Sequence, residues 1–360
     1  MARNARLGKK LKAVDLFCGA GGLTRGLENA GIDVAFGVDL DPACEFPYEA
    51  NNRATFVLKA VEDLSPSDFT DAFKGAEFTL LAGCAPCQPF STYSQGWSSP
   101  EDARWNLLGR FGDLVKQTQP DLVTMENVPR LEKQDVFKDF VSLLLDDGFE
   151  VTHRVVNCAD YGLPQQRQRL VLLASKLGPI ELIKPTKQPE SYVTVRDAIA
   201  NLPTLEAGEI CDADPLHQAC SLSPLNLKRI RASKPGGTWR DWDESLVADC
   251  HKKSSGKTYP GVYGRMSWDE TAPTVTTQYY GFGNGRFGHP EQDRAISLRE
   301  GAILQSFPRS YKFVPRGAPI YRKSIGRLIG NAVPVKLGEA IGKTIVRHIE
   351  EFKRKTKRAA

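Results

Sequence analysis

Over the first half of the chain, short apolar runs alternate with stretches of helical period, separated by glycine or proline. Residues 13–17 predict a short buried strand, 18–22 a glycine turn, and 23–30 a helix stopped by Gly31. Residues 32–38 predict a second strand that ends at Asp39. Further strand candidates lie at 78–82, 122–125, 151–158 and 170–174, with helical stretches between them, notably 136–146. Strands alternating with helices imply an α/β class: a mostly parallel, doubly wound sheet covered on both faces.

After about residue 176 this rhythm breaks. The chain to roughly residue 290 is rich in Pro, Gly, Ser and Thr and has no clear helical period, as expected of a second, smaller and irregular domain. Helical patterning returns near residue 295, and 336–352 predicts an amphipathic helix. The expected organisation is therefore a discontinuous large domain, residues 1–175 plus 291–360, interrupted by an insertion at 176–290. Its C-terminal helix would pack back onto the N-terminal sheet. A chain of 360 residues suffices for a large core with a satellite domain.

Composition narrows the function classes. No apolar run approaches the roughly 20 residues that span a bilayer. The basic start lacks a following apolar signal core, so the protein is expected to stay where it is made. Its eight cysteines are expected to be reduced thiols, and Cys84 with Cys87 is the close pair among them. The remaining cysteines lie at no metal-ligand spacing, so no metal site is expected. The net charge of +5 is misleading as evidence of nucleic acid. Arg3, Arg6, Lys9, Lys10 and Lys12 crowd the start, and Lys353, Arg354, Lys355, Lys357 and Arg358 the end. Without those ten, 38 basic residues face 43 acidic ones, a body of net charge −5.

Candidate chemistry gathers at strand ends. Asp15-Leu16-Phe17-Cys18-Gly19-Ala20-Gly21-Gly22-Leu23 sets three glycines between a strand and a helix, where backbone can approach a ligand closely beside helix N–H donors. Asp39, at the end of the second strand, can bond both hydroxyls of a ribose. Together these indicate a nucleoside-containing cofactor, without the spacing of dinucleotide binders. Gly83-Cys84-Ala85-Pro86-Cys87-Gln88-Pro89 is a stiff loop that presents a thiol, with Cys84 read as a packing residue. Flanking prolines argue against a thioredoxin-like helix start. Glu126 stands at the end of another strand, just before Pro129, and Arg167 and Arg169 precede residues 170–174 at alternate positions. On a strand those two arginines would point the same way.

In this order, these segments resemble the cytosine-5 DNA methyltransferases of bacterial type: the loop from Asp15 to Gly22, Pro86-Cys87-Gln88, Glu126-Asn127-Val128, Gln165-x-Arg167-x-Arg169, Leu304-Gln305-Ser306-Phe307-Pro308, and Gly330-Asn331-Ala332-Val333-Pro334. The resemblance covers nearly the whole chain outside roughly 180–260. It implies the S-adenosylmethionine-dependent methyltransferase fold, S-adenosylmethionine as cofactor and double-stranded DNA as partner. It also implies a monomeric cytoplasmic protein associated with the nucleoid, and a functionally paired restriction endonuclease that makes no direct contact. Cys87 would be the covalent nucleophile, Glu126 would hold or protonate ring nitrogen 3 of a flipped cytosine, and Arg169 with Arg167 would bond its carbonyl oxygen. Cofactor contacts would come from Asp15, Phe17, Gly19, Gly21, Gly22, Leu23, Asp39, Leu40, Val61, Pro86, Asn331 and Val333. Leu40 replaces the family's usual aromatic residue, and Val61 falls where an acid is expected, with Asp63 a shifted alternative. Near the end, Ile303 replaces a common Arg and Leu328 a common Gln.

The segment between the paired arginines and Leu304-Gln305 would read the DNA, which would lie in the cleft between the domains. Two stretches within it are basic and free of acids, 226–240 and 250–265. Arg229, Arg231, Arg240, Lys252 and Lys253 are the expected phosphate contacts; Gln88 and Ser91 of the catalytic loop are further expected DNA contacts, as is Thr276, whose segment would approach the target base. Residues 91–104 are a candidate mobile segment behind the flipped base. A tRNA cytosine-5 methyltransferase is the nearest alternative, but its Cys-Phe-Thr element is missing here. A catalytically silent DNA-binding homologue is opposed by the intact Cys87, Glu126 and Arg169. A zinc deaminase would need a second cysteine spaced after Pro86-Cys87.

Overall fold

The computed structural model describes residues 11–86 and 106–359, which form two compact units. The first holds the described residues up to Tyr161, then Gln168–Thr186 and Val333 onward. Its elements are β1 (Leu11–Leu16), α1 (Gly22–Asn29), β2 (Asp33–Asp39), α2 (Glu45–Glu49), β3 (Thr55–Leu58), α3 (Pro66–Phe73) and β4 (Phe78–Gly83). They continue with α4 (Asn106–Thr118), β5 (Leu122–Asn127), α5 (Asp135–Asp146), β6 (Glu150–Asn157) and β7 (Gln168–Ser175).

These strands form one sheet in the order β3-β2-β1-β4-β5-β7-β6. The first five pair in parallel, while β7 runs antiparallel to both β5 and β6. The sheet is thus mostly parallel, with an antiparallel edge. Strand order reverses between β1 and β4, and in such sheets ligands bind beyond the carboxyl ends of the strands at that point. Val14, Leu16, Leu81, Val123, Met125 and Leu172 are buried in its core with Phe69, Phe111, Phe137 and Phe140 from the helices. Nearly continuous apolar strands follow from a sheet covered on both sides.

The long helix at the C-terminal end, α11 (Val335–Ala359), belongs to this first unit and packs on α1. Its Gly338 and Gly342 lie against Gly26 of α1 and Ala30, which caps that helix. Among the described residues, no helix is long and apolar enough to cross a membrane.

The second unit comprises Gly162–Arg167 and Lys187–Ala332. It contains α6 (Val195–Ile199), a two-stranded sheet of β8 (Ile210–Cys211) and β9 (Asp214–Gln218), α7 (Pro224–Ala232), α8 (Asp249–Lys252), α9 (Leu298–Leu304) and α10 (Arg322–Asn331). Most of the rest is turns and short 3-10 helices. The sequence placed residues 291–332 in the large domain, but here they pack in the second unit, for identifiable reasons. Arg299 grips Asp214 through two bonds of 2.6 and 3.1 Å, and Arg265 pairs with Asp293, so two ion pairs cross the expected boundary at 290.

The centre of this unit is polar. Arg294 and Glu300, both buried, share two bonds of 2.7 and 2.8 Å, and Glu300 also accepts from Ser297 N. Burial pushes the Glu300 carboxyl up, but Arg294 more than offsets this and holds it at about 2. His289 accepts from the N–H groups of Glu291 and Gln292 at Nδ1, which leaves its proton on Nε2, 3.7 Å from Glu300. Burial pushes that imidazole down to about 4 despite the nearby carboxylate.

Both shifts predict acid sensitivity. His289 is neutral when folded and contributes full stability above its unfolded value near 6.5, which is lost as pH falls towards 4. Glu300 contributes above about 4.5 and loses that contribution as pH falls through 2. Thermal midpoints should therefore fall from pH 6.5 downward, and His289→Asn should flatten the 6.5-to-4 part. The difference between the two proteins is the readout, because burial raises Asp15 of the first unit to about 7 and works in the opposite direction. Parallel curves for the two proteins would refute the role given to His289.

Candidate active site

The carboxyl ends of β1, β2, β4 and β5 carry the candidate residues of the first unit. After β1 the chain turns through Phe17, Gly19 and Gly21 with φ of 57°, 53° and 85°. The left-handed region is open to glycine but costs Phe17 on the order of 1 kcal/mol, a strain found where backbone is shaped for a ligand. A side chain added at Gly19 would meet nothing within 4 Å. Gly22 and Leu23 open α1 and are buried. Gly19 N donates to Asp39 Oδ2 (2.9 Å) and Asp41 N to Asp39 Oδ1 (3.0 Å), so the acid ending β2 is fixed against the glycine loop. Burial raises the Asp39 carboxyl, against these N–H bonds.

Asp15 is buried at the end of β1. Its Oδ2 accepts from Thr24 Oγ1 (2.6 Å), which also meets Tyr48, while Oδ1 is buried without a hydrogen-bond partner. Leu40 is 71% exposed, and Leu58, paired with Asp39 in the β2–β3 register, is 53% exposed. Two large apolar side chains in water beside Asp39 are an unusual expense. Leu58 was not singled out from sequence, because a lone Leu at a strand end carries no signal. Val61 is buried, Pro86 is exposed, Asn331 is exposed at the end of α10 in the second unit, and Val333 is buried in the first.

Glu126 stands at the end of β5, where the sequence places it, and is only 3% exposed, because β5 continues to Asn127 while pairing with β7. The antiparallel course of β7 brings its first residues beside the last residues of β5. Arg169 Nε accordingly stands 2.9 Å from Glu126 Oε1, an ion pair without hydrogen-bond alignment. Glu126 Oε2 accepts from Cys84 Sγ at 3.1 Å. Cys84 is therefore a partner of this carboxylate, not simply a packing residue. Asn127 Nδ2 donates to Ala85 O (2.9 Å), and its Oδ1 accepts from Val128 N (2.8 Å). This ties the loop down just before Pro86. Cys87, Gln88, Ser91 and the expected mobile segment 91–104 lie outside the described residues.

Arg167 and Arg169 do not share a face. Only Arg169 is in β7, whereas Arg167 belongs to the second unit, where its guanidinium donates to Val275 O and Gly330 O, each at 2.9 Å. The alternation rule fails because residues 164–166 pair with Ala272 instead of extending the strand. Gln165 reinforces the same brace through Val275 N, Leu304 O and Gln305. Thr276 lies against Gly330, where an added Cβ would come within 2.5 Å of its carbonyl.

The expected phosphate contacts divide. Arg229 is 9% exposed, bonded to Leu246 O and Asn226 and stacked near Trp242 and Tyr263, so it is a core residue of the second unit. Its helix, α7, turns that position inward, which local charge density could not reveal. Arg231 is exposed and pairs with Asp293 (3.0 Å). Arg240 is exposed, lies over Trp239 and donates to Lys257 O. Lys252 lies 3.6 Å from Asp249, and Lys253 is exposed. Among the described residues, no group of three His, Cys, Asp or Glu side chains is placed to hold a metal ion.

Known proteins complete the picture. The chain is 51% identical over 340 residues to the Type II methylase M.HgiDII of Herpetosiphon aurantiacus, covering 94% of this chain and 95% of that one. It is 30% identical to the Type II methyltransferase M.Sau96I of Staphylococcus aureus, covering 97% and 79% respectively. The fold matches the crystal structure of a prophage-encoded E. coli protein described as a DNA modification methyltransferase. That match has a TM-score of 0.72 and 22% identity, and covers 94% of this chain and 99% of the other. Residues 11–347 match the model of the C-5 cytosine-specific DNA methylase family, spanning both units and every strand-end residue described above, and the chain belongs to that family.

Proposed function

We propose that the chain methylates carbon 5 of one cytosine within a specific double-stranded DNA sequence, as the modification enzyme of a Type II system, with S-adenosylmethionine as donor. The observation that carries this is the buried Glu126 carboxylate paired with the half-buried Arg169, beside the loop that Asn127 anchors two residues before Cys87.

The cofactor fits the residues present. Asp39 offers a carboxylate to ribose hydroxyls, Leu40 and Leu58 offer apolar cover for adenine, and the open Gly19 turn admits close backbone approach. The unpartnered Oδ1 of Asp15 suits the ammonium of the amino-acid end. Phe17, Gly21, Gly22, Leu23 and Pro86 belong to the same strand ends, and Val333 of the same unit completes the proposed set. S-adenosylmethionine supplies an electrophilic methyl group on a sulfonium.

Carbon 5 of cytosine is a poor nucleophile. The Cys87 thiolate adds to carbon 6, and the electron pair of the ring double bond makes carbon 5 reactive. Glu126 holds or protonates nitrogen 3 as charge moves there, and Arg169 stabilises the ring carbonyl oxygen. Once carbon 5 has bonded the methyl group, loss of its proton restores the ring double bond as the carbon–sulfur bond breaks and returns the thiolate. The base must leave the helix for this, at about a few kcal/mol of stacking and pairing. Arg167 is better understood as a brace than as a contact to the base.

Sequence reading falls to the second unit, with Arg240, Lys252, Lys253 and Arg231 as the accessible phosphate contacts and Thr276, with Gln88 and Ser91, nearer the base. Sequencing 5-methylcytosine in DNA from cells expressing the chain should reveal one recurrent site; unmethylated DNA would overturn the proposal. Exchanging residues 187–332 for those of a relative with a known site should transfer that site. The graft must pass residue 290, because Arg265–Asp293 and Asp214–Arg299 cross it. A folded, active chimera that kept the original pattern would place recognition elsewhere.

A further inference from the structure

We propose that Cys84 is a positioning residue for the Glu126 carboxylate, which its thiol orients through a weak bond that the target base can displace. The inference rests on the reading of Glu126 as the residue that addresses cytosine nitrogen 3.

Cys84 has little freedom. Its N–H donates to Leu16 O on β1 (3.2 Å), and Gly83 before it is packed so closely that an added Cβ would lie 3.0 Å from Phe111 and 3.1 Å from Leu16 O. On its other side Ala85 is held by Asn127. With backbone fixed on both flanks, Sγ is aimed at Glu126 Oε2, 3.1 Å away. Glu126 is fixed in turn by the register of β5 on β7. Among the described residues, Cys84 from the β4 end and Arg169 from β7 are the titratable and charged groups recorded at this carboxylate, one at each oxygen.

The chemistry of the donor matters. A thiol is a weak hydrogen-bond donor. It can hold Oε2 in direction without satisfying it, so an N–H of the incoming cytosine can take its place. A hydroxyl would compete harder with the base, and a methyl would leave Oε2 undirected. The packing role first read from the sequence would predict no such asymmetry.

The test is the pH dependence of single-turnover methylation with enzyme in excess, so that slow variants are still read. Glu126→Gln identifies the limb of the profile that belongs to this carboxylate by removing it. Losing a donor favours the protonated form of a carboxylate, so Cys84→Ala should move that limb up by roughly half a unit to one unit, the size of one modest hydrogen bond. Cys84→Ser should move it down by a similar amount. Neither substitution should change cofactor affinity, and neither should alter the residual rate in the Glu126→Gln background. If the limb persists in Glu126→Gln, the reading of Glu126 fails. If it vanishes there but stays unmoved in both Cys84 variants, Cys84 only fills space and the positioning proposal is overturned.

Discussion

A DNA duplex carrying 5-fluorocytosine at the target position should trap this protein covalently, only in the presence of S-adenosylmethionine, and Cys87→Ala should abolish both the trap and ordinary methyl transfer. Fluorine cannot leave carbon 5 as a cation. Once the thiolate has added and the methyl has moved, the elimination that frees the enzyme is blocked. The adduct should survive denaturing electrophoresis, and the modified peptide should contain Cys87. Cys87→Ala should keep its thermal midpoint and its cofactor affinity, since the thiolate acts only in the chemical step. Loss of a covalent nucleophile is expected to slow transfer by several orders of magnitude, the largest effect anticipated for any single side chain here. RNA carrying the same analogue should not trap; trapping of RNA and not of duplex DNA would mean the right chemistry on the wrong substrate. If neither traps while 5-methylcytosine is still made, the covalent route is wrong.

The parallel half of the sheet was legible because each strand is a short apolar run closed by a turn signal. The predicted strands at 13–17, 32–38 and 78–82 agree with β1, β2 and β4 to within two residues at either end. β3 was missed: Thr55–Leu58 is short, lies at the sheet edge, and is only partly buried, so its pattern is weak. The antiparallel turn of β7 was not legible either. An apolar run states that a strand is buried but not which way it points, and direction here decides that Arg169 meets Glu126. The burial of Glu126 was hidden for the same reason, since pairing with β7 extends β5 by two residues beyond its apolar run.

Side chains that act through a distant partner left the least trace. Arg167 resembles Arg169 in composition and spacing, yet it closes on carbonyls 108 and 163 residues away. Arg229 and Arg231 sit two residues apart on α7 and so on opposite sides of it, one stacked near two aromatic rings and the other in solvent. A basic stretch reports charge, and only the helix's orientation sorts the pair into core and surface. Asn127 stood in plain view within the Glu-Asn-Val motif, but its use depends on β4 and β5 being neighbours. That adjacency was the missing signal for Cys84 as well.

The second large effect expected lies away from the chemistry, at Gly26 in α1. Alanine in a helix interior is ordinarily more favourable than glycine by about 1 kcal/mol. At Gly26 the sign should reverse. An added Cβ would stand 2.5 Å from the backbone of Gly338 and Glu339 in α11, and backbone cannot step aside as a flexible side chain can. Overpacking of this kind typically costs about 1–3 kcal/mol, enough to outweigh the helix preference. The two helices would have to separate. Because α1 starts at Gly22, directly after the Phe17–Gly21 turn, that displacement also reaches the residues proposed to cradle the cofactor. Gly26→Ala should therefore lower both the thermal midpoint and the affinity for S-adenosylmethionine in a calorimetric titration. Gly342→Ala provides the comparison. Its Cβ would lie 2.6 Å from that of Ala30, at the far end of α1 from the turn. It should lower the midpoint while leaving affinity nearly intact. Equal loss of affinity in both variants would mean that global loosening, not the path through α1, reaches the cofactor end. An unchanged midpoint in Gly26→Ala would mean that α1 and α11 do not pack backbone to backbone.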